Sequence, residues 1–274
     1  MVTGTEITDV RAARVRAVSR LAKRAFRERE RRFLAEGPQA VREALATPGV
    51  SVEVFASRAG TARHPELVAA AAALSWTVVD DDVLTTLSDT VTPQGVVARC
   101  RFVDVPFESA LSPPPRLVAL AADVRDPGNA GALVRCADAA GADAVVLTGS
   151  SVDLYNPKVV RASVGSLFHL PLVVESDVVG VTGSVRDAGL TVIAADADGD
   201  LDLDAAIDTG LLEAPTAWLF GNEAWGLPAP IRALADRVVN VPIHGRAESL
   251  NLATAAAVCL YASARAHRGS ASAR

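Results

Sequence analysis

Three short segments of this chain gather side chains that could hold a polar ligand and manage charge on it. Near the end, Glu248-Ser249-Leu250-Asn251 joins the polar turn of VVNVPIHGRAESLNLATAAAVCLYASA to an Ala-rich amphipathic helix. A helix entered through Ser and Asn brings unpaired backbone N–H groups and neutral hydrogen-bonding side chains to one point. Earlier, Asp126-Pro127-Gly128-Asn129-Ala130-Gly131-Ala132-Leu133-Val134-Arg135 offers Asn129 as the cap of a helix running to about Ala140, and Arg135 as a planar fork suited to phosphate. Between them, Leu219-Phe220-Gly221-Asn222-Glu223-Ala224-Trp225-Gly226-Leu227 sets a carboxylate, Glu223, in an open glycine turn. There Gly221 would let backbone lie against a flat ligand. Trp225 is expected to pack as a hydrophobic cover rather than to stack on a base. Taken singly, each segment is equally a capped helix or a glycine turn.

Several other chemistries find no support. No Gly-x-Gly-x-x-Gly follows a strand, no Gly-Lys-Ser/Thr phosphate loop is present, and no Gly-x-Ser-x-Gly nucleophile elbow occurs. Ser249 is better read as a helix cap than as a nucleophile with His244. Cys100, Cys136 and Cys259 are far apart and read as buried thiols; with His64, His169, His244 and His267 scattered, no metal site is expected.

The elements that must position these residues alternate between strand and helix. In the first part, strands are expected at Arg32 to Glu36, Val52 to Ala56, Trp76 to Val79 and Gly95 to Phe102. Helices fall at Pro38 to Ala46, Pro65 to Leu74 and Asp81 to Leu87, giving a small α/β domain. Residues 106–115, PFESALSPPP, read as a stiff extended linker. Beyond it, Arg116 to Ala122, Ala144 to Thr148, Leu190 to Ala195, Thr216 to Phe220 and Val238 to Val241 are continuous apolar runs. Such runs predict parallel strands covered on both faces. All three chemical segments directly follow such strands, where ligands of parallel sheets collect.

Composition sets the outer limits. The chain has 274 residues, of which 50% are hydrophobic, enough for one large or two ordinary domains with a real core. There is no membrane-spanning run and no apolar signal-peptide core, so a soluble cytoplasmic protein is expected. The net charge of −5 hides a basic segment: ten Arg or Lys fall between Arg11 and Arg32, opposed by Glu28 and Glu30 alone. Read as one basic helix, it is an electrostatic footprint for a polyanion, and Arg20, Lys23, Arg24, Arg27 and Arg31 are its candidate contacts. Charge patterning also admits a merely solvated helix.

In this order and spacing, DPGNAGALVRCADAAGADAVVL, WLFGNEAWGL and VPIHGRAESLNLATAAAVCLY resemble the three signature motifs of the SpoU/TrmH family. These are SPOUT-class RNA ribose 2'-O-methyltransferases that use S-adenosylmethionine. RFLAEGPQAVREAL and LSDTVTPQGVVA resemble the L30e-like substrate-binding domain attached to many members. The resemblance implies an α/β fold in which residues 1–105 bind RNA, 106–115 link, and 116–274 form a knotted SPOUT domain with a parallel sheet and a trefoil knot. It implies a catalytic set of Asn129, Arg135, Glu223, Ser249 and Asn251. The methyl donor is expected against Leu219, Gly221, Val241, Ile243, Ser249 and Leu250. It also implies a homodimer with the active site near the subunit interface. A guanidinium is a poor base at neutral pH, so Arg135 is expected to grip the target phosphate and stabilise charge on the 2'-oxygen. Ribosomal (23S) RNA is the favoured substrate. A transfer-RNA 2'-O-methyltransferase and a non-catalytic RNA-binding protein that keeps the fold remain the alternatives.

Overall fold

The computed structural model describes residues 6–272 and divides into two compact units. One comprises 1–103 together with Tyr155–His169; the other comprises Asp104–Leu154 and Leu170–Arg274.

The first unit is built on a four-stranded mixed sheet of β1 (Arg32–Glu36), β2 (Ser51–Ser57), β3 (Ser75–Val79) and β4 (Val96–Arg101), in the order β1-β4-β2-β3. β4 runs antiparallel to both β1 and β2, while β2 and β3 are parallel and joined through helices at Arg58–Arg63 and Pro65–Ala70. Period-two alternation in β1 buries Phe33 and Ala35 and leaves Arg32, Leu34 and Glu36 half-buried. Over the buried face lies the excursion Tyr155–His169. Tyr155 and Phe168 pack 4.8 and 6.0 Å from the Phe33 ring centre, and the Tyr155 hydroxyl accepts the Val103 amide at 2.7 Å.

The basic segment is not one helix. Helices at Ala13–Ser19 and Arg24–Glu30 are separated by a 3₁₀ turn at Arg20–Ala22 and an extended Lys23, and Arg31 is left-handed at φ 50°. A continuous helix would stack like charges at i and i+4, as in Arg16–Arg20, Arg20–Arg24 and Lys23–Arg27. The break leaves carbonyls without partners, and Arg27 supplies them. Its guanidinium, 3% exposed as a residue, donates to Leu21 O at 2.8 Å and Ala22 O at 2.7 Å. Arg27 is therefore a structural brace rather than an RNA contact.

The second unit holds seven parallel strands: β5 (Leu117–Ala122), β6 (Ala144–Thr148), β7 (Leu172–Glu175), β8 (Thr191–Ala195), β9 (Leu201–Asp202), β10 (Thr216–Phe220) and β11 (Arg237–Asn240). Their order is β7-β6-β5-β10-β8-β11-β9. Every residue of β5, β6 and β10 is buried, as their unbroken apolarity predicts. One face packs Leu120, Val192 and Leu219 against Val181 and Val185 of the helix Val178–Asp187. From the other face Trp218 donates its indole N–H to Ser263 Oγ, at 2.9 Å, on the helix Leu252–Ser272. Residues 106–115 belong to this unit. Phe107–Ala110 is a short helix, and Val105, Phe107 and Leu111 pack on the core, so apolar burial overrides the extended form expected of the prolines.

Both helices that open onto the candidate site begin differently from the expectation. Asp126, not Asn129, caps Pro127–Ala140, accepting the Asn129 amide at 2.8 Å; Pro127 needs no amide partner there. Asn251, not Ser249, caps the last helix, its Oδ1 accepting from Ala253 N at 2.9 Å and Thr254 N at 3.4 Å.

All three thiols are free. Burial pushes Cys100 and Cys259 up to about 12, and it raises Cys136 despite the neighbouring charge of Arg135. At pH 8 these groups hold their protons in the folded state. Iodoacetamide is therefore expected to leave Cys100 and Cys259 unmodified in native protein and to label them in denaturant, read by peptide mass spectrometry. Rapid native labelling of either would contradict their burial.

Candidate active site

The carboxyl ends of β8, β10 and β11 open onto a cavity of about 570 Å³. Its apolar wall includes Phe220, Val241, Ile243 and Leu250, and its carboxylates come from Asp196, Asp198, Glu223 and Glu248. Ser249, Asn251 and Gly221 also line it. Leu219, expected beside the donor, does not. Successive residues of a strand point to opposite faces, and Leu219 is fully buried in the core while Phe220 turns to the cavity.

The turn after β10 is closed by two 2.9 Å hydrogen bonds between the Asn222 and Gly226 backbones. Asn222 itself is buried; its amide nitrogen donates to Asp123 O at 2.7 Å and its oxygen accepts the Ala224 amide at 2.8 Å. This closure itself requires a glycine at 221. A Cβ there would stand 2.4 Å from the Gly226 carbonyl and 2.7 Å from Leu227 N. Trp225 is likewise not a buried cover: it is 53% exposed, with the Arg125 guanidinium 5.4 Å from its ring centre.

From this turn Glu223 reaches the loop after β5. Its carboxylate accepts the Arg125 amide at 3.3 Å, the Asp126 amide at 3.2 Å and Asn129 Nδ2 at 3.2 Å. Asn129 Oδ1 in turn accepts Asn251 Nδ2 at 2.9 Å. The polarity of this relay is determined throughout. Asn251 Oδ1 is committed to helix amides, so its Nδ2 donates; Asn129 must then receive through oxygen and donate to the carboxylate. One hydrogen-bonded chain thus joins all three segments.

Arg135 stands apart from the relay. It is exposed, outside the cavity lining, roughly 9 Å along the helix axis from Asn129 at helical rise. Among the described residues it makes no hydrogen bond or ion pair. Asp196, Arg232 and Arg125 were not anticipated. Asp196 Oδ1 accepts Asp198 N at 3.0 Å and Arg232 Nη1 at 3.4 Å, which fixes the carboxylate against the cavity. The signal for Asp196 was its place directly after the β8 run.

Residues 116–261 match the model of the SpoU rRNA Methylase family. The chain belongs to this family. Residues 12–98 match the MRM3-like substrate binding domain. A relative from Bacillus subtilis, the 23S rRNA (guanosine(2553)-2'-O)-methyltransferase RlmP, is 31% identical over 93% of this chain and 98% of its own. An AdoMet-bound rRNA methyltransferase from Sinorhizobium meliloti superposes with a TM-score of 0.81 at 29% identity, over 95% of this chain and 97% of that one. The SpoU methyltransferase AviRb from Streptomyces viridochromogenes, in complex with AdoMet, gives 0.80 at 30% identity, over 94% and 99%. The α/β architecture with its parallel sheet is therefore that of SpoU methyltransferases, and the first domain is of the MRM3-like substrate-binding kind. No helix among the described residues is long and apolar enough to cross a membrane, and no group of three His, Cys, Asp or Glu there could hold a metal.

Gly221→Ala is expected to force the SpoU turn open, at an overpacking cost of about 1–3 kcal/mol. A melting temperature equal to wild type would refute the requirement for close backbone approach at this position.

Proposed function

We propose that this protein transfers a methyl group from S-adenosylmethionine to a ribose 2'-hydroxyl of ribosomal RNA, 23S RNA being the substrate named for its relative from Bacillus subtilis. The observation that carries the reading is the Glu223–Asn129–Asn251 relay beside a cavity at the strand ends.

The cavity suits the donor. S-adenosylmethionine, when bound, supplies an electrophilic methyl on a sulfonium, together with a flat base and a ribose. The apolar side chains Phe220, Val241, Ile243 and Leu250 offer the base a dry surface, while Asp196 and Glu248 place negative charge on a cavity meant for a cation. Backbone groups of the loops holding Gly221 and Ser249 would complete the cradle.

The chain's own residues then have separable tasks. Glu223, Asn129 and Asn251 hold the three loops in one register, which positions rather than reacts. Ser249, exposed on the cavity wall, is within the loop that would meet the hydroxyl. Arg135, with no partner in the protein among the described residues, is available to take the phosphate beside the target ribose in a bidentate grip and to stabilise charge growing on the 2'-oxygen. A guanidinium does not serve as base at neutral pH, so the hydroxyl proton leaves to water or to the RNA. Alignment of hydroxyl and donor alone can supply about 7 kcal/mol or more.

Family membership supports three further parts of the reading: a trefoil knot in the second unit, a homodimer, and a cytoplasmic site of action. For the dimer, Val258 and Tyr261 of the last helix, 39% and 48% exposed, supply an apolar surface. The first unit would bind RNA, with Arg20, Lys23, Arg24 and Arg31 on its exposed basic segment.

The test is incubation of unmodified ribosomal and transfer RNA with labelled donor, followed by nucleoside mass spectrometry. Ribose methylation of ribosomal RNA is expected; methyl groups on bases alone, or donor binding without incorporation into any RNA, would sink the proposal. Arg135→Ala is expected to leave donor affinity by calorimetry unchanged and to slow single turnover by about 100- to 1000-fold. Arg135→Lys at wild-type rate would eliminate the bidentate role.

A further inference from the structure

The antiparallel pairing of β1 and β4 puts Arg32 directly opposite Arg101. Like charges facing each other across two strands destabilise a sheet unless something neutralises them. By the two-residue period, Arg99 shares their face. The nearby carboxylates are already committed. Glu53, 5% exposed, is shared by Arg14 and by Arg99, whose Nε lies 2.8 Å from Glu53 Oε1 in an ion pair of poor hydrogen-bond geometry. Glu30 pairs with Arg29 at 3.2 Å. That leaves Arg32 with a single side-chain bond, to Arg31 O at 3.1 Å, and Arg101 exposed with none among the described residues. Burial, then the charges of Arg101 and Arg99, hold the Arg32 guanidinium below its ordinary pKa, and the nearby charge of Glu30 offsets them only in part.

The neighbouring arginines are laid out as planes. Arg31 lies 4.4 Å from the Phe102 ring centre, and Arg20 and Arg29 lie 5.5 and 4.6 Å from that of Phe26. In each stack the aromatic ring fixes the direction of the guanidinium plane. The left-handed Arg31, at φ 50°, makes the sharp turn that delivers Arg32 onto the sheet.

We propose that the Arg32–Arg101 pair at the β1–β4 strand ends is a phosphate-binding site for the RNA backbone, the missing counter-ion being an RNA phosphate. This rests on the reading of the protein as an RNA methyltransferase and identifies where the first unit takes hold of its substrate. The unit's basic surface is then centred on a strand pair, with the broken helices contributing at its border. In a chain whose overall net charge is −5, so local an excess of arginine is costly to keep without a polyanionic partner.

The experiment uses the full chain and an unmodified 23S ribosomal RNA transcript as probe. Binding is followed by filter retention across a salt series, beside steady-state methylation. For the double variant Arg32→Gln/Arg101→Gln, affinity is expected to fall roughly tenfold or more, and the log–log salt slope to shrink by about 1 to 2. KM for RNA should rise far more than kcat falls, with donor affinity unchanged. Removing a like-charge pair should hold or raise the melting temperature, an outcome that a merely structural arginine pair would reverse. Arg32→Lys/Arg101→Lys should retain most of the salt slope, since charge is kept. An unchanged slope and affinity in the Gln variant would overturn the proposal, as would a lowered melting temperature that accounts for the loss. Equal displacement by polyglutamate would assign the surface to acidic polypeptides and also overturn it. Because binding is read without turnover, a wild-type enzyme that binds RNA but does not methylate ribose would refute the proposed function and leave this site standing.

Discussion

The site depends on one interaction: a carboxylate, Glu223, that gathers the amides of Arg125 and Asp126 and the side chain of Asn129 onto itself. The residues it joins are 94 to 98 positions away in the chain, and Asn251 is a further 122 beyond Asn129. No local propensity could hold them together. At 3.2 to 3.3 Å and in contact with solvent, each bond is individually modest. They persist because β5 and β10 are neighbours in register, so the loops leaving them begin side by side. The sheet does the positioning, and Glu223 converts proximity into a fixed orientation.

Charge is sorted in the same way. The two ligands of the proposed reaction carry opposite signs at the places that matter, a sulfonium on the donor and phosphates on the RNA. The cavity accordingly collects Asp196, Asp198, Glu223 and Glu248, with Asp196 and Asp198 both held by Arg232. Two guanidinium groups with no hydrogen bond or ion pair among the described residues, Arg135 in one unit and Arg101 in the other, lie outside that lining. An overall charge near neutrality therefore says little about partners here, because the relevant charges are segregated residue by residue.

The sequence made the strand cores legible and the faces illegible. β1, β6 and β10 were readable to the residue because their apolar runs are bounded by turn residues. The edge strands β7 and β9 escaped: β7 exposes Val174, and β9 is two residues long. In a strand buried on both sides, Leu219 and Phe220 look alike, so which one meets the cavity is decided only by the pleat. The same limit separates Arg27 from its neighbours. Ten basic residues between Arg11 and Arg32 look interchangeable until the helix breaks and one of them turns inward to its carbonyls. The three motifs were legible as a group through their order and spacing, and the structure adds that Asn129 bonds both Glu223 and Asn251.

The first unit shows why continuity along the chain is a poor guide to where a core is made. Phe33 comes from β1, but the rings that cover it, Tyr155 and Phe168, arrive from a segment lying between β6 and β7 of the other sheet. Arg161 of the same segment bonds Glu36 at 3.4 Å and Asp89 at 2.9 Å, and His169 lies 3.2 Å from Glu43. A stretch ending at Val103 would therefore contain every strand of the four-stranded sheet and still lack part of its aromatic core. Burying Phe33 with side chains from the excursion makes the folding of the substrate-binding unit depend on chain that belongs, by sequence, to the methyltransferase region. The cluster lies wholly within the first unit, so that unit is defined by packing and not by a continuous stretch of sequence.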